Sequence, residues 1–250
     1  MKPKRQPAPP RTAEPWDGLL LVDKPSGLTS HDVVDRVRRH FRIEKVGHGG
    51  TLDPMATGLL VLLLGRGTKL SNQIIGADKA YEGTMHLGAT TDTEDVDGKV
   101  LTEAPCAGIT RERLEEEIRK RMGDVMQTPP MVSAIKREGV PLYKLARRGE
   151  TVEREPRLIH IYDFTLLDFA PPLARFRLRC TKGTYVRTLC ADIGRALGCG
   201  AYLQELRRIQ SGALRVDRAR PLDEVLRLDL AALEKVVIPM HDVRPEELNR

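Results

Sequence analysis

Residues 47–60, Gly47-His48-Gly49-Gly50-Thr51-Leu52-Asp53-Pro54-Met55-Ala56-Thr57-Gly58-Leu59-Leu60, set one imidazole and one carboxylate among four glycines ahead of an apolar run. Glycine lets backbone approach a ligand closely and take positive φ, while Pro54 biases Asp53 toward extended geometry. A carboxylate on such a loop is presented rather than buried. The same Asp-Pro pair also fits an aspartate capping a following helix with Pro54 in its first position, and the two readings are compatible. A second element, Lys182-Gly183-Thr184-Tyr185-Val186-Arg187, lies where a strand gives way to a helix, so Arg187 falls in the first helical turn. A cation there opposes the helix dipole, which predicts an acidic partner from elsewhere in the chain. A third, Thr91-Asp92-Thr93-Glu94-Asp95-Val96-Asp97-Gly98, superficially resembles a calcium loop. Val96 and Asp97 occupy positions that need an oxygen ligand and a glycine, so it reads as an exposed acidic turn.

Other templates fail. Gly65-Arg66-Gly67-Thr68-Lys69 lacks phosphate-loop spacing, no GxGxxG opens a helix, and neither HExxH nor an HxE with PCxxC occurs. Cys106, Cys180, Cys190 and Cys199 never form a CxxC pair and read as reduced core residues. Neither a metal nor a nucleotide cofactor is expected. With one Trp, five Tyr and four Phe, the chain is poorly supplied for an aromatic RNA-stacking platform.

The elements that must hold these residues can be read from periodicity. Gly18–Asp23 is a buried strand, followed by a turn at Lys24-Pro25-Ser26-Gly27. Thr29 and Asp32 have capping-box spacing, and Val33, Val34, Val37 and Phe41 mark one face of the helix they open. Leu114, Ile118 and Met122 before Gly123, and Val186, Leu189, Ile193 and Leu197 before Gly198, predict two more helices with glycine stops. Leu158–Tyr162 predicts a strand running on toward Phe164 and Leu167, with His160 a packed or edge histidine. Strands and helices do not alternate regularly. The expected fold class is therefore α/β of the α+β type, with a mixed, largely antiparallel central sheet flanked by helices and loops.

At 250 residues, 40% hydrophobic and 30% charged, the composition is that of a soluble globular protein. The longest apolar run is far too short to span a membrane, and no apolar segment at the N-terminus marks export, so a cytoplasmic location is expected. The net charge of +6 points toward nucleic acid, but Lys2, Lys4, Arg5 and Arg11 account for four of those charges. Residues 1–15 read as a flexible, basic, proline-rich arm and 16–250 as the folded domain. Within the latter, residues 171–215 carry nine basic groups against Asp192 and Glu205. Arg175, Arg177 and Arg179 alternate with Phe176, Leu178 and Cys180, so a strand there aligns three guanidiniums on one face. With Lys182, Arg207 and Arg208 they are candidate contacts to an RNA backbone, although such a run also fits a solvated face.

Taken together, these segments resemble the TruB-type tRNA pseudouridine synthases, which isomerise uridine 55 of the TΨC loop. Seven ordered blocks carry the likeness: Val22–Ser30, Gly47–Leu60, Lys79–Tyr81, Thr91–Gly98, Gln127–Ala134, Gly183–Arg187, and Leu206-Arg207-Arg208 with Ser211-Gly212. The resemblance implies a pseudouridine-synthase fold, Asp53 as catalytic carboxylate, and Tyr81 stacked on the target base and placed to help exchange the C5 proton. It implies Arg187 paired with Asp53 and with Asp95 of the acidic loop, and His48 filling the space left by the flipped base. Lys24 and Pro25 would support the pocket floor, with Tyr185 and Leu206 lining it. The tRNA T-arm is the implied partner, with no obligate protein partner and no cofactor. Similar enzymes commonly continue into a PUA-type RNA-binding domain, for which the residues before Arg250 leave no room.

The chemistry suits this inventory. Pseudouridine formation breaks C1′–N1 and joins C1′ to C5, and one carboxylate can either attack C1′ or take the 2′ proton. Two other classes remain open at this level. A catalytically silent RNA-binding module would need no carboxylate, and a nucleoside hydrolase would ordinarily want a second carboxylate and an activated water.

Overall fold

The structure, a computed structural model, describes residues 13–133, 136, 137, 140–142, 145, 148, 150 and 152–243. Residues 1–12 of the expected arm and Ala134 lie outside these. In chain order the described strands are β1 (Gly18–Lys24), β2 (Val46–His48), β3 (Thr57–Leu64), β4 (Lys79–Leu87), β5 (Ala89–Thr91), β6 (Val100–Glu103), β7 (Gly123–Gln127), β8 (Lys136–Arg137) and β9 (Val140–Pro141). They continue with β10 (Arg157–Ala170), β11 (Leu173–Cys180), β12 (Ala201–Ser211), β13 (Leu214–Arg215), β14 (Arg220–Pro221) and β15 (Ile238–Pro239). The helices that matter for the site are α1 (Ser30–Phe41), α2 (Ser71–Gly76), α3 (Arg111–Arg119) and α4 (Val186–Leu197).

One large sheet runs β14-β1-β3-β12-β4-β11-β10-β7. The contacts of β1 with β14 and of β12 with β3 are parallel and the other pairings in this order are antiparallel. The expected mixed, largely antiparallel sheet is present. Its faces are covered unequally. Leu20, Val22, Leu60, Leu62 and Leu64 meet the apolar stripe of α1 in one core, which α3 joins through Leu114 and Ile118 and α4 through Val186, Leu189, Ile193 and Leu197. Behind β1 and β3, a smaller cluster packs Leu19, Leu21, Leu59, Val61 and Leu63 against Leu70 and Ile74. Burial on both faces is why Leu59–Leu64 reads as an unbroken apolar run, whereas β11, covered on one face, alternates.

Local signals explain the helix ends. The Thr29 hydroxyl accepts from the Asp32 amide at 3.0 Å, and the Asp32 carboxylate accepts from the Thr29 amide at 2.9 Å, a capping box built with Asp in place of Glu. Gly198 closes α4 at φ 83°. Two expectations fail. Helix α3 ends at Arg119, short of Met122, because the amides of Arg121 and Met122 turn back onto the carbonyls of Ile118 and Arg119 and leave Met122 exposed. No helix follows Asp53: the Ala56 amide donates to the Asp53 carbonyl in a tight turn, and β3 begins at Thr57.

The edge of β12 positions the rest. Arg207 and Arg208 pair with Thr57 and Gly58 of β3, while four residues earlier Leu203 bridges to Asp95. The loop before β3 and the acidic turn are thereby fixed to one strand, about 13 Å apart along it at strand rise. Gly58 makes the first junction possible. It sits at φ +95°, and a Cβ there would lie 2.4 Å from the Arg208 carbonyl oxygen. Gly58→Ala should therefore destabilise the protein by at least ~2 kcal/mol, seen as a lowered urea midpoint with an unchanged m-value.

Candidate active site

Asp53 and Arg187, 134 residues apart in sequence, meet above the face of the sheet that carries Tyr81. Arg187 Nε donates to Asp53 Oδ2 at 2.9 Å and Nη2 to Oδ1 at 3.3 Å. The guanidinium is buried, and its remaining donors reach the carbonyls of Thr93 at 2.8 Å and Val132 at 2.9 Å, with Asp95 Oδ2 3.5 Å from Nε. Asp53 keeps 34% of its side chain exposed while Asp95 keeps 8%. One carboxylate faces outward from the cation and the other is sealed behind it. This supplies the acidic partner that the start of α4 called for.

The acidic turn is shaped for that contact. Glu94 takes a left-handed conformation at φ 64°, held by hydrogen bonds from the Leu203 amide to the Glu94 carbonyl and from the Val96 amide to the Leu203 carbonyl. Asp95 accepts from the Thr93 hydroxyl and the Asp97 amide. Burial raises the Asp95 carboxyl above its ordinary range, with Thr93 and Arg187 acting in the opposite sense. The element read as an exposed acidic turn is thus partly a buried one. Glu94 is raised for the same reason and accepts from Thr188 Oγ1 at 2.6 Å.

Beneath the Asp53 loop lies Lys24, fully buried, its ammonium donating to the carbonyls of Pro25 at 2.8 Å, Leu28 at 2.7 Å and Pro54 at 3.2 Å. Burial lowers it to about 8, with Asp53 acting against that fall. Pro25 is exposed and takes part through its carbonyl. Ser30 adds a second tie, its hydroxyl accepting from the Leu52 amide at 2.8 Å and lying 3.2 Å from the Leu52 carbonyl. Tyr81 forms part of the floor; burial pushes its phenol up to about 12, against the pull of Arg208, so it is a neutral phenol at pH 7. Leu206, opposite Gly83 in the ladder, adjoins it on the same face. Tyr185 stands one residue before α4, its backbone held both ways by the Gln127 amide, at 2.8 and 3.0 Å. His48 lies on β2 at the loop entrance. Its Nδ1 is buried without a hydrogen-bond partner among the described residues, and burial with the nearby Arg208 lowers its pKa, favouring the neutral imidazole.

The basic candidates divide differently. Arg175, Arg177 and Arg179 do share one face of β11, but it is the face opposite Tyr81, since Leu178 is the cross-strand partner of Tyr81. There they meet acids from adjacent strands. Arg177 pairs with Glu82 at 2.6 Å, Asp168 and Asp163 stand opposite Arg175 and Arg179, and Arg179 also lies 4.9 Å from the Tyr162 ring centroid. Arg207 is on that face too, bidentate to Asp23 at 2.6 and 3.0 Å. Lys182 is exposed. Arg208 corrects the reading of it as a phosphate contact: it is 2% exposed and wholly internal. A cleft of ≈ 550 Å³ is lined by Glu82, Thr84, Arg175, Glu205 and Arg207 among others, but not by Asp53, Tyr81 or Arg187.

Sequence reasoning missed Lys79, whose buried ammonium donates to the carbonyls of Ile74, Ile75 and Ala77, and the structural parts of Gln127 and Glu94. Nothing in the periodicity of these segments marks a buried lysine, because its partners are backbone carbonyls.

Two family profiles together match residues 38–243: "TruB family pseudouridylate synthase (N terminal domain)" over 38–186 and "tRNA pseudouridylate synthase B C-terminal domain" over 187–243. The protein is thus an RNA-modifying isomerase of the pseudouridylate synthase class. Proteins named tRNA pseudouridine synthase B are similar along most of its length. The one from Opitutus terrae is 52% identical, covering 92% of this chain and 95% of its own, and that from Dechloromonas aromatica is 49% identical, covering 90% and 75%. Among solved structures, a chain of a Cbf5-Nop10-Gar1 complex superposes with a TM-score of 0.72 at 27% identity over 91% of this chain, which spans 61% of that one. The chain belongs to the TruB family, and its activity is the formation of pseudouridine in tRNA.

Glu94 offers a check on the buried acidic turn. A carboxyl raised by burial costs stability in full above its folded pKa, and that cost disappears as pH falls through its ordinary value near 4.5. Glu94→Gln, which can still accept from Thr188, should be more stable than wild type at pH 7 and equal to it below pH ~4, as read from urea midpoints at the two pH values.

Proposed function

We propose that this enzyme isomerises uridine 55 in the TΨC loop, with Asp53 as the carboxylate that acts on the everted nucleotide. The observation carrying this reading is the Asp53–Arg187 contact. It holds a third-exposed carboxylate in one orientation by a two-point bond to a buried guanidinium. A target base inside a folded loop must be flipped out, at a cost of roughly a few kcal/mol that contacts in the pocket offset. Asp53 then either attacks C1′ or removes the 2′ proton. If Asp53 attacks, C1′–N1 breaks as the Asp53–C1′ ester forms, and that ester breaks as C5 bonds to C1′; if it takes the 2′ proton, C1′–N1 breaks to a glycal and the proton returns to C2′ as C5 bonds to C1′. In both routes uracil departs as an anion and turns, and the proton lost from C5 is matched by one gained at N1, with no redox change and no water consumed. Arg187 stabilises charge at Asp53 and near the departing base.

In this reading Tyr81 stacks on the base and takes part at C5 as a neutral phenol, relaying a proton. Tyr185 and Leu206 line the pocket, and His48, neutral, fills the gap in the RNA stack. Lys24 and Pro25 hold the loop from below. Residues 16–250 act as one catalytic domain, a view supported by a single hydrophobic cluster that contains Val186, Leu189 and residues from both profiles. Phosphate contacts fall to Lys182 and the basic arm, with Arg175 and Arg179 as further candidates, whereas Arg177 is already paired with Glu82. The T-arm is the expected partner and the cytoplasm the expected location; among the described residues no helix is long and apolar enough to cross a membrane.

Incubation with an unmodified tRNA transcript, followed by nucleotide-resolution mapping, should place pseudouridine at position 55 with the RNA mass unchanged. Release of free uracil would instead mean hydrolysis. Asp53→Asn should lower the single-turnover rate at least ~10³-fold while leaving tRNA affinity within a few-fold. Arg187→Lys, which loses the two-point bond, should fall between Asp53→Asn and wild type.

A further inference from the structure

Arg207 and Arg208 are neighbours in the chain and opposites in the fold. Arg207 lies on the charged face, paired with Asp23. Arg208 points the other way into the protein beneath the site, cross-strand from Tyr81. Its Nε donates to the Leu59 carbonyl at 2.8 Å, Nη2 to the Gly50 carbonyl at 3.1 Å and Nη1 to the Thr51 carbonyl at 3.4 Å, and its charge acts on the phenol of Tyr81 beside it across the ladder. Among the described residues it forms no ion pair with a carboxylate. A wholly buried guanidinium held by backbone carbonyls is costly unless every donor is satisfied, and it leaves its positive charge acting on its neighbours.

Those neighbours are the parts of the site that must move together. Gly50 and Thr51 lie between His48 and Asp53 on the same loop, Leu59 belongs to β3, and Tyr81 is the floor. We propose that Arg208 is a positioning residue for the isomerisation, locking the Tyr81 phenol to the Gly50–Thr51 segment and placing a fixed cation behind the ring on which the uracil lies. This rests on the reading of Tyr81 and Asp53 given above. A positive charge behind that ring favours the uracil anion and any transfer of the C5 proton through the Tyr81 oxygen. Lysine is a poor substitute, because the planar fork reaches the Leu59, Thr51 and Gly50 carbonyls at once from beside the phenol, and an ammonium cannot span that set.

The test compares Arg208→Lys, Arg208→Gln and Tyr81→Phe, singly and with Arg208→Gln combined with Tyr81→Phe. Measured quantities are single-turnover rate at saturating tRNA, tRNA affinity at two salt concentrations, and the NMR signal of Tyr81 Cζ in protein labelled at tyrosine, assigned by its loss in Tyr81→Phe. The expected result is a rate lowered about 100-fold in both Arg208 variants, with tRNA affinity and its salt dependence unchanged. Tyr81→Phe should cost little more in the Arg208→Gln background, and the phenol of Arg208→Lys should titrate above that of wild type. Weakened tRNA binding with a shallower salt dependence and an intact rate would make Arg208 an RNA contact and overturn the proposal, as would strictly additive losses in the double variant.

If Arg208→Gln does not fold, Arg208→Lys carries the same comparison. Wild-type protein offers a test free of any variant: slowly exchanging Arg208 guanidinium protons in contact with the Tyr81 ring support the proposal, and their absence refutes it. Asp53→Asn separates the two readings. Full activity in that variant defeats the assignment of Asp53, whereas an inactive Asp53→Asn beside Arg208 variants of unchanged rate defeats only the role of Arg208.

Discussion

The burial of Arg187 is the constraint on which the site depends. A guanidinium at the start of a helix, opposed by the dipole and nearly cut off from water, must be neutralised and must have its donors satisfied. Asp53 and Asp95 supply the charge, and the carbonyls of Thr93 and Val132 take donors that the carboxylates do not. Removing one partner of a buried ion pair costs roughly 3–5 kcal/mol, but that figure applies unequally here. Asp95 is enclosed, whereas water can replace part of what Asp53 gives. The sealed carboxylate therefore holds the arginine in place, and the arginine in turn aims the exposed one. Three remote segments converge for that electrostatic reason.

A second theme is the use of buried cations whose partners are carbonyls. Lys24, Lys79 and Arg208 each tie together backbone segments around the site through carbonyls, and among the described residues none of them forms an ion pair with a carboxylate. Carbonyl dipoles can satisfy donors while leaving net charge in place, so the floor under Asp53 and Tyr81 is electropositive. In the mechanism proposed above, whose leaving group is an anion, such a floor would stabilise charge without any rearrangement at the moment of bond breaking. The lowered pKa values of Lys24 and Lys79, each about 8, measure what burial takes from these cations.

The basic segment 171–215 shows how poorly a linear charge count reports a surface. Its arginines on β11 are aligned, as alternation requires, but the acids that pair with or oppose them come from β4 and β10. On a sheet, cross-strand neighbours decide whether a row of cations is a free field or a set of ion pairs. Of the two adjacent arginines on β12, one reaches Asp23 and the other is swallowed by the core, because successive residues of a strand point to opposite faces.

Much of this was open to reading from residues alone. The capping box at Thr29, the glycine end of α4, the alternation of β11 and the exposed carboxylate at Asp53 follow from local preferences that act over a few residues, and the ordered motifs marked the family. The overlong reading of α3 and the helix-cap alternative for Asp53 failed where a turn or a strand pairing overrode a local signal. The positions of Arg208, Lys79 and Gln127 were invisible because their partners are backbone groups, which every residue carries and no motif records. Sequence by itself determined the family motifs and most of the helices and strands that carry them. Only the tertiary structure decided which face each arginine occupies and how Asp53, Asp95 and Arg187 meet, because those outcomes depend on strand register between segments far apart in the chain.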